Sequence, residues 1–143
     1  MAVRVRLAIR NRETGALAEL AALVNSGFET ETPQLLLPVA AARELGLWPL
    51  RPEAVSATYD TAGGPVSVWV YPRALSVRVL VEDVEAPEVI ADAVISTVER
   101  EALISDKLMS VLQIAIEDAG EGLWRFRFEG LGRLRRSVGP QFW

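Results

Sequence analysis

The chain of 143 residues contains no cysteine and no histidine. Without an imidazole there is no Ser-His-Asp or Cys-His arrangement, because the base that would take the nucleophile's proton is missing. Zinc sites of the usual Cys/His type are excluded for the same reason. No disulfide is available to replace a core, and a single domain of this length can bury one. Hydrolytic chemistry is left with carboxylates, Lys, Tyr or a metal held by oxygen ligands. Long hydrophobic runs are also missing: the apolar stretches are short and broken by charge, so none reads as a membrane span. Met1-Ala2-Val3-Arg4-Val5-Arg6 alternates apolar and basic residues, which reads as a strand and not as a signal peptide, and a cytoplasmic location is expected. The net charge of -4 argues against a dedicated nucleic-acid surface.

Half of the residues are hydrophobic and 24% are charged, which is the composition of a globular chain and not of a disordered one. Period-two patterning dominates. Val3 to Ile9 alternates, Asn11 to Gly15 is a turn, and Ala16 to Val24 resumes the apolar run, so the opening reads as a hairpin. The alanines and leucines of Ala16 to Leu23 are equally compatible with a short helix. Glu29 to Pro33 is a loop, Gln34 to Leu37 a short buried strand, and Pro38 to Gly46 a helix with proline in its first turn and glycine as its stop. Val55 to Tyr59 and Val66 to Tyr71 form a second hairpin around Asp60 to Pro65, and Pro72-Arg73 breaks the run. Leu75 to Val81 and Val89 to Ile95 are further strands joined by the acidic loop Glu82 to Glu88. Asp106 to Leu112 is a helix capped by Ser105 or Asp106, Gln113 to Asp118 and Leu123 to Phe128 are strands, and Leu131 to Trp143 is a tail. Many short strands, frequent turns and two short helices predict an all-β domain, closed or sandwiched.

The stretch with chemical interest is Leu23-Val24-Asn25-Ser26-Gly27-Phe28, a buried strand that ends on small polar turn formers. It resembles the hydrophobic-hydrophobic-Asp-Thr/Ser-Gly segment of the retropepsin-like aspartic proteases, in the version found as stand-alone bacterial and archaeal domains. Leu37-Pro38 with Ala41 to Leu47 is similar to that family's short helix, and Thr61-Ala62-Gly63-Gly64 with Val66-Ser67-Val68 to its flap hairpin. Ala102 to Leu108 resembles its hydrophobic-hydrophobic-Gly-Arg segment, with Ser105 where glycine is usual. The match spans roughly residues 3 to 128, leaving 131–143 as a basic, aromatic tail after a domain of residues 1–130.

The resemblance implies a closed β-barrel with a flap hairpin and one or two short helices. It implies an aspartic endopeptidase that works as a homodimer on a peptide or unfolded protein, with no metal or cofactor. Position 25 would carry the catalytic carboxylate, flanked by Ser26 and Gly27, with Phe28, Ala62, Gly63 and Gly64 against the substrate. Two facing carboxylates share a proton, one activating water and the other donating to the scissile carbonyl. Asn25 breaks that scheme, since an amide neither holds nor takes the proton. Such a chain is expected to be inactive: either a deliberate Asp-to-Asn replacement, which the near-isosteric change favours, or a natural pseudo-protease that binds peptide or dimerises.

Rival features read more plainly. Asp60-Thr61-Ala62 mimics the signature but is expected to be a hairpin shoulder, and Asp118 to start a turn. Glu82 to Glu88 lacks regular metal-ligand spacing. Trp48, Trp69 and Trp124 are expected in packing. Arg133, Arg135 and Arg136 read as solvated, and Phe142-Trp143 as seeking a surface on a partner subunit.

Overall fold

The computed structural model describes all 143 residues. Ten strands and two short helices follow in the order β1 (Arg4–Asn11), β2 (Leu17–Val24), β3 (Gln34–Pro38), α1 (Val39–Glu44), β4 (Val55–Thr61), β5 (Gly64–Val79), β6 (Val89–Ser96), β7 (Ala102–Ile104), α2 (Asp106–Val111), β8 (Ile114–Asp118), β9 (Leu123–Phe126) and β10 (Arg135–Arg136). The chain is all-β, as its alternation predicts.

Six strands close a barrel in the order β1-β2-β7-β3-β6-β5, with β5 returning to pair with β1. Most pairs are antiparallel; β2 with β7 and β3 with β6 are parallel. Closure follows from patterning. In β1, Val5, Leu7 and Ile9 point inward while Arg6 and Arg10 stay in the solvent, so only one register buries the apolar face. Strand β6 is buried throughout from Ala91 to Ser96, because β3 and β5 flank it and side chains cover both of its faces. One contiguous core of 28 buried residues fills the barrel and runs under both helices.

The β2 segment resolves to strand, pairing with β1 from Leu17 to Leu23. Pro38 stands at the start of α1, and Gly46, at φ +72°, ends that turn of chain as a glycine stop should. Ser105 caps α2, accepting the Leu108 N–H on its hydroxyl.

Two expectations change. Pro72-Arg73 bends a strand but does not end it: β5 runs for 16 residues through a register shift between Tyr71 and Leu75. Arg73 takes φ +53° there, and its N–H goes to the Asp92 carboxylate at 2.8 Å, so a side chain replaces the ladder partner that the bulge removes. The bend splits the strand's work. Its first half pairs with β4 as a hairpin whose end, from Gly64 to Ser67, projects beyond β6 while Val68 to Tyr71 stay paired with β6. Its second half closes the barrel on β1.

The second change is the tail, which is held to the body of its own chain. Arg135–Arg136 pairs with β9, Ser137 N–H donates to Gly122 O, and Val138 N–H donates to Arg4 O. Gly122, at φ +70°, permits this approach, since a Cβ there would lie 3.0 Å from Ser137 Oγ and 3.1 Å from Ala2 O. Trp143 packs against the core and its N–H donates to Arg100 O, so it docks on its own chain, while Phe142 stays 60% exposed. Arg135 is not solvated either; its side chain is 10% exposed and ion-paired. No helix is long and apolar enough to cross a membrane.

Candidate functional site

The parallel pairing of β2 with β7 aims the end of β2 outward. Beyond Val24 the chain has no strand partner, and Asn25 N–H makes a last bond to Ile104 O at the end of β7. Asn25, Ser26 and Gly27 then form a tight turn. Asn25 Oδ1 accepts the Gly27 N–H at 3.1 Å, and Asn25 O accepts the Phe28 N–H at 3.0 Å, an Asx turn of the sort that Asn and Asp favour for local bonding. The segment beyond is tied to the start of α2: Asp106 N–H donates to Phe28 O, and Asp106 Oδ1 accepts the Thr30 N–H at 3.0 Å. That Thr30 N–H holds the Asp106 carboxyl below its ordinary range, with Lys107 N–H adding to it.

The β4–β5 hairpin projects over this turn and closes a cleft of about 900 Å³. The floor is apolar: Leu36, Val68 and Val94 form a small cluster outside the barrel, with Leu103 packed on it. Tyr59 of β4 joins roof to floor. Its ring lies 6.1 Å from that of Phe28, and its hydroxyl donates to Gln34 Oε1 at 2.7 Å. Burial pushes the phenol's pKa up, so the hydroxyl keeps its proton and remains a donor. Gln34 is in turn held by Thr32, and Thr32 by Asp92. Four carboxylates line the space, Glu29, Glu31, Asp60 and Glu99, with no Lys or Arg among its walls. None of the four takes part in an ion pair. No three carboxylates converge as they would around a metal ion.

Of the residues singled out in the sequence, Asn25, Gly27, Phe28 and Ala62 line this one cleft. Ser26 is exposed beside it, and Gly63 and Gly64 form the hairpin turn without lining it. Asp60 sits on the hairpin shoulder as expected, yet it faces the cleft. Asp118 accepts the Glu121 N–H and starts a turn. Trp48 and Trp69 pack edge to face at 6.3 Å, and Trp124 is buried. Tyr59, Gln34, Glu29, Glu31 and Glu99 carry no functional signal in the sequence; Tyr59 is marked only by its place in the alternation Ala57, Tyr59, Thr61.

No protein-family model matches this chain, and no curated protein matches it in sequence. The site is therefore read from its own chemistry. With Asn25 in place, the turn at the cleft wall offers an amide donor and acceptor but no group that titrates.

Proposed function

We propose that the chain is one subunit of a retropepsin-type endopeptidase scaffold, hydrolytically silent with Asn at position 25. The observation that carries this reading is one juxtaposition: a closed six-stranded barrel presents the Asn25–Phe28 turn on the floor of a cleft roofed by a projecting hairpin. An extended polypeptide suits that space, lying between roof and floor as an added strand. One chain supplies one such turn, so a complete dyad requires two copies related by a two-fold axis. With a carboxylate at both copies of position 25, the pair would share a proton and activate water between them. With two amides, binding remains and proton transfer is lost.

Replacing Asn25 by Asp is the test. The variant should cleave an unfolded protein at mildly acid pH, with a peptide that mimics the tetrahedral intermediate blocking it, while the unaltered chain does not cleave. A folded, dimeric N25D protein without cleavage would sink the proposal. A strict monomer in sedimentation would sink it as well, since the dyad could not assemble.

A second reading keeps the cleft and drops the chemistry: a natural peptide-binding or dimerisation domain. It is favoured by Asn25 Nδ2, which donates to no protein group and is free to bond a peptide carbonyl. Equal peptide affinity for the Asn25 and N25D proteins, without turnover by either, is its expected signature.

A further inference from the structure

The chain has two asparagines, Asn11 and Asn25, and both sit in Asx turns. An Asx turn folds the side chain back over the following peptide, the side on which a succinimide ring closes. Three features then separate the two. Asn11 is 1% exposed and Asn25 borders the open cleft. Asn11 Nδ2 donates to Leu45 O at 2.7 Å, whereas Asn25 Nδ2 donates to nothing. The peptide nitrogen that would attack is also different: Arg12 N–H is bonded to Ala74 O at 2.9 Å, and Ser26 N–H has no partner.

We infer that Asn25 is a self-modification site, whose side-chain amide is lost in the folded protein to leave a carboxylate on the cleft lining. A base removes the Ser26 N–H proton, and the nitrogen attacks Asn25 Cγ. The Gly27 N–H on Oδ1 stabilises the charge that gathers on that oxygen. The Cγ–Nδ2 bond breaks, and Nδ2 takes a proton from water and departs as ammonia. Water then opens the succinimide. Opening at Cγ gives aspartate, with its carboxylate where the amide was; opening at the main-chain carbonyl gives isoaspartate, which lengthens the backbone by one carbon. No oxidant, metal or second protein is needed. The exposed Ser26, with its small side chain, leaves the ring room to form. Asn11 would have to break a buried bond and admit water to the core before it could react.

The modification stands on these contacts alone; its consequence, a carboxylate able to join the proposed dyad, rests on the retropepsin-type reading. The test is ageing of the purified folded protein at mildly alkaline pH, followed by peptide mapping that separates Asn, Asp and isoAsp at both sites. Conversion at Asn25 should outrun that at Asn11 by at least about ten-fold, the suppression expected from a local opening step. It should accelerate with pH and be strongly slowed in S26V, where a β-branched neighbour crowds the attacking nitrogen. Conversion at Asn25 no faster than at Asn11, or unchanged in S26V, overturns the inference. Cleavage is measured separately on N25D: its failure would remove the protease reading and leave the modification intact.

Discussion

In the cleft, Glu29, Glu31, Asp60 and Glu99 share a space of about 900 Å³ with no cation. Around β9 and the tail, Asp83 and Glu129 are clamped by one guanidinium. Arg135 donates to both carboxylates, with Glu129 Oε2 at 2.6 Å and Asp83 Oδ1 at 2.8 Å, and lies 5.2 Å from the Phe126 ring centre and 5.8 Å from that of Trp124. Arg133 adds a second contact to Asp83. The clamp holds Asp83 down to about 2 and lowers Glu129 as well, with the Arg135 hydrogen bonds the leading cause in both. The difference separates charge used for folding from charge left over. Acids that pin the tail are ion-paired to a guanidinium that itself lies over two aromatic rings. Acids in the cleft face water, and their uncancelled field is available to a visitor.

The hardest test of that division is Arg135→Met. Removing the guanidinium leaves Glu129, its side chain 10% exposed, with only the longer 3.9 Å contact to Arg133 and takes the cation off the Trp124 and Phe126 rings, at a cost of about 2 kcal/mol after allowance for partial exposure. Denaturant unfolding measures it. The acid limb carries a second signature. Because Asp83 is depressed in the folded state, its contribution is present above its ordinary value of 3.8 and is lost as pH falls from about 4 towards 2. In the Met variant that acid-dependent loss should shrink. An unchanged acid limb would mean the clamp is ornamental.

Tyr59→Phe is a smaller perturbation, and it examines the one strong tie inside the cleft. The Phe28 contact persists, but Gln34 Oε1 loses its donor, for about 1 kcal/mol. Hydrogen exchange should quicken along β4 and the hairpin turn while β1 and β6 keep their protection. Uniform quickening would make Tyr59 part of the barrel's framework and not a latch on the hairpin.

Local patterning explains why so much of the barrel was legible. Val5, Leu7 and Ile9 alternate with arginines, Asn11 to Gly15 is a turn wherever it occurs, and Pro38 and Gly46 bracket a helix by their backbone limits alone. Closure itself was half visible, since many short strands with frequent turns fit a closed or a sandwiched domain alike. What escaped depends on partners distant in sequence. Pro72-Arg73 reads as a stop because its compensating acceptor, Asp92, is 19 residues away. Arg135 reads as solvated because Asp83 is 52 residues away. In the site, the turn residues Asn25, Gly27 and Phe28 were legible, since turn chemistry is local. Tyr59 with Gln34, and the gathering of Glu29, Glu31, Asp60 and Glu99 from three parts of the chain, were not.

The finest test concerns those four acids. If they are left over from folding, replacing Glu29, Glu31 and Glu99 by Gln and Asp60 by Asn should leave the unfolding midpoint where it was. No ion pair is lost, and mutual repulsion is relieved. Binding should respond instead. A short extended peptide carrying arginines should bind the unaltered chain more tightly than its glutamate counterpart, by about ten-fold at low salt, with the gap closing as salt screens the field. The fully neutralised cleft should treat both peptides alike. Fluorescence titration of labelled peptides reads both affinities. A drop in stability comparable with that of Arg135→Met would erase the distinction between the two regions. Equal affinities in the unaltered protein would mean that the cleft selects by shape and backbone bonding, with its charge irrelevant to what enters.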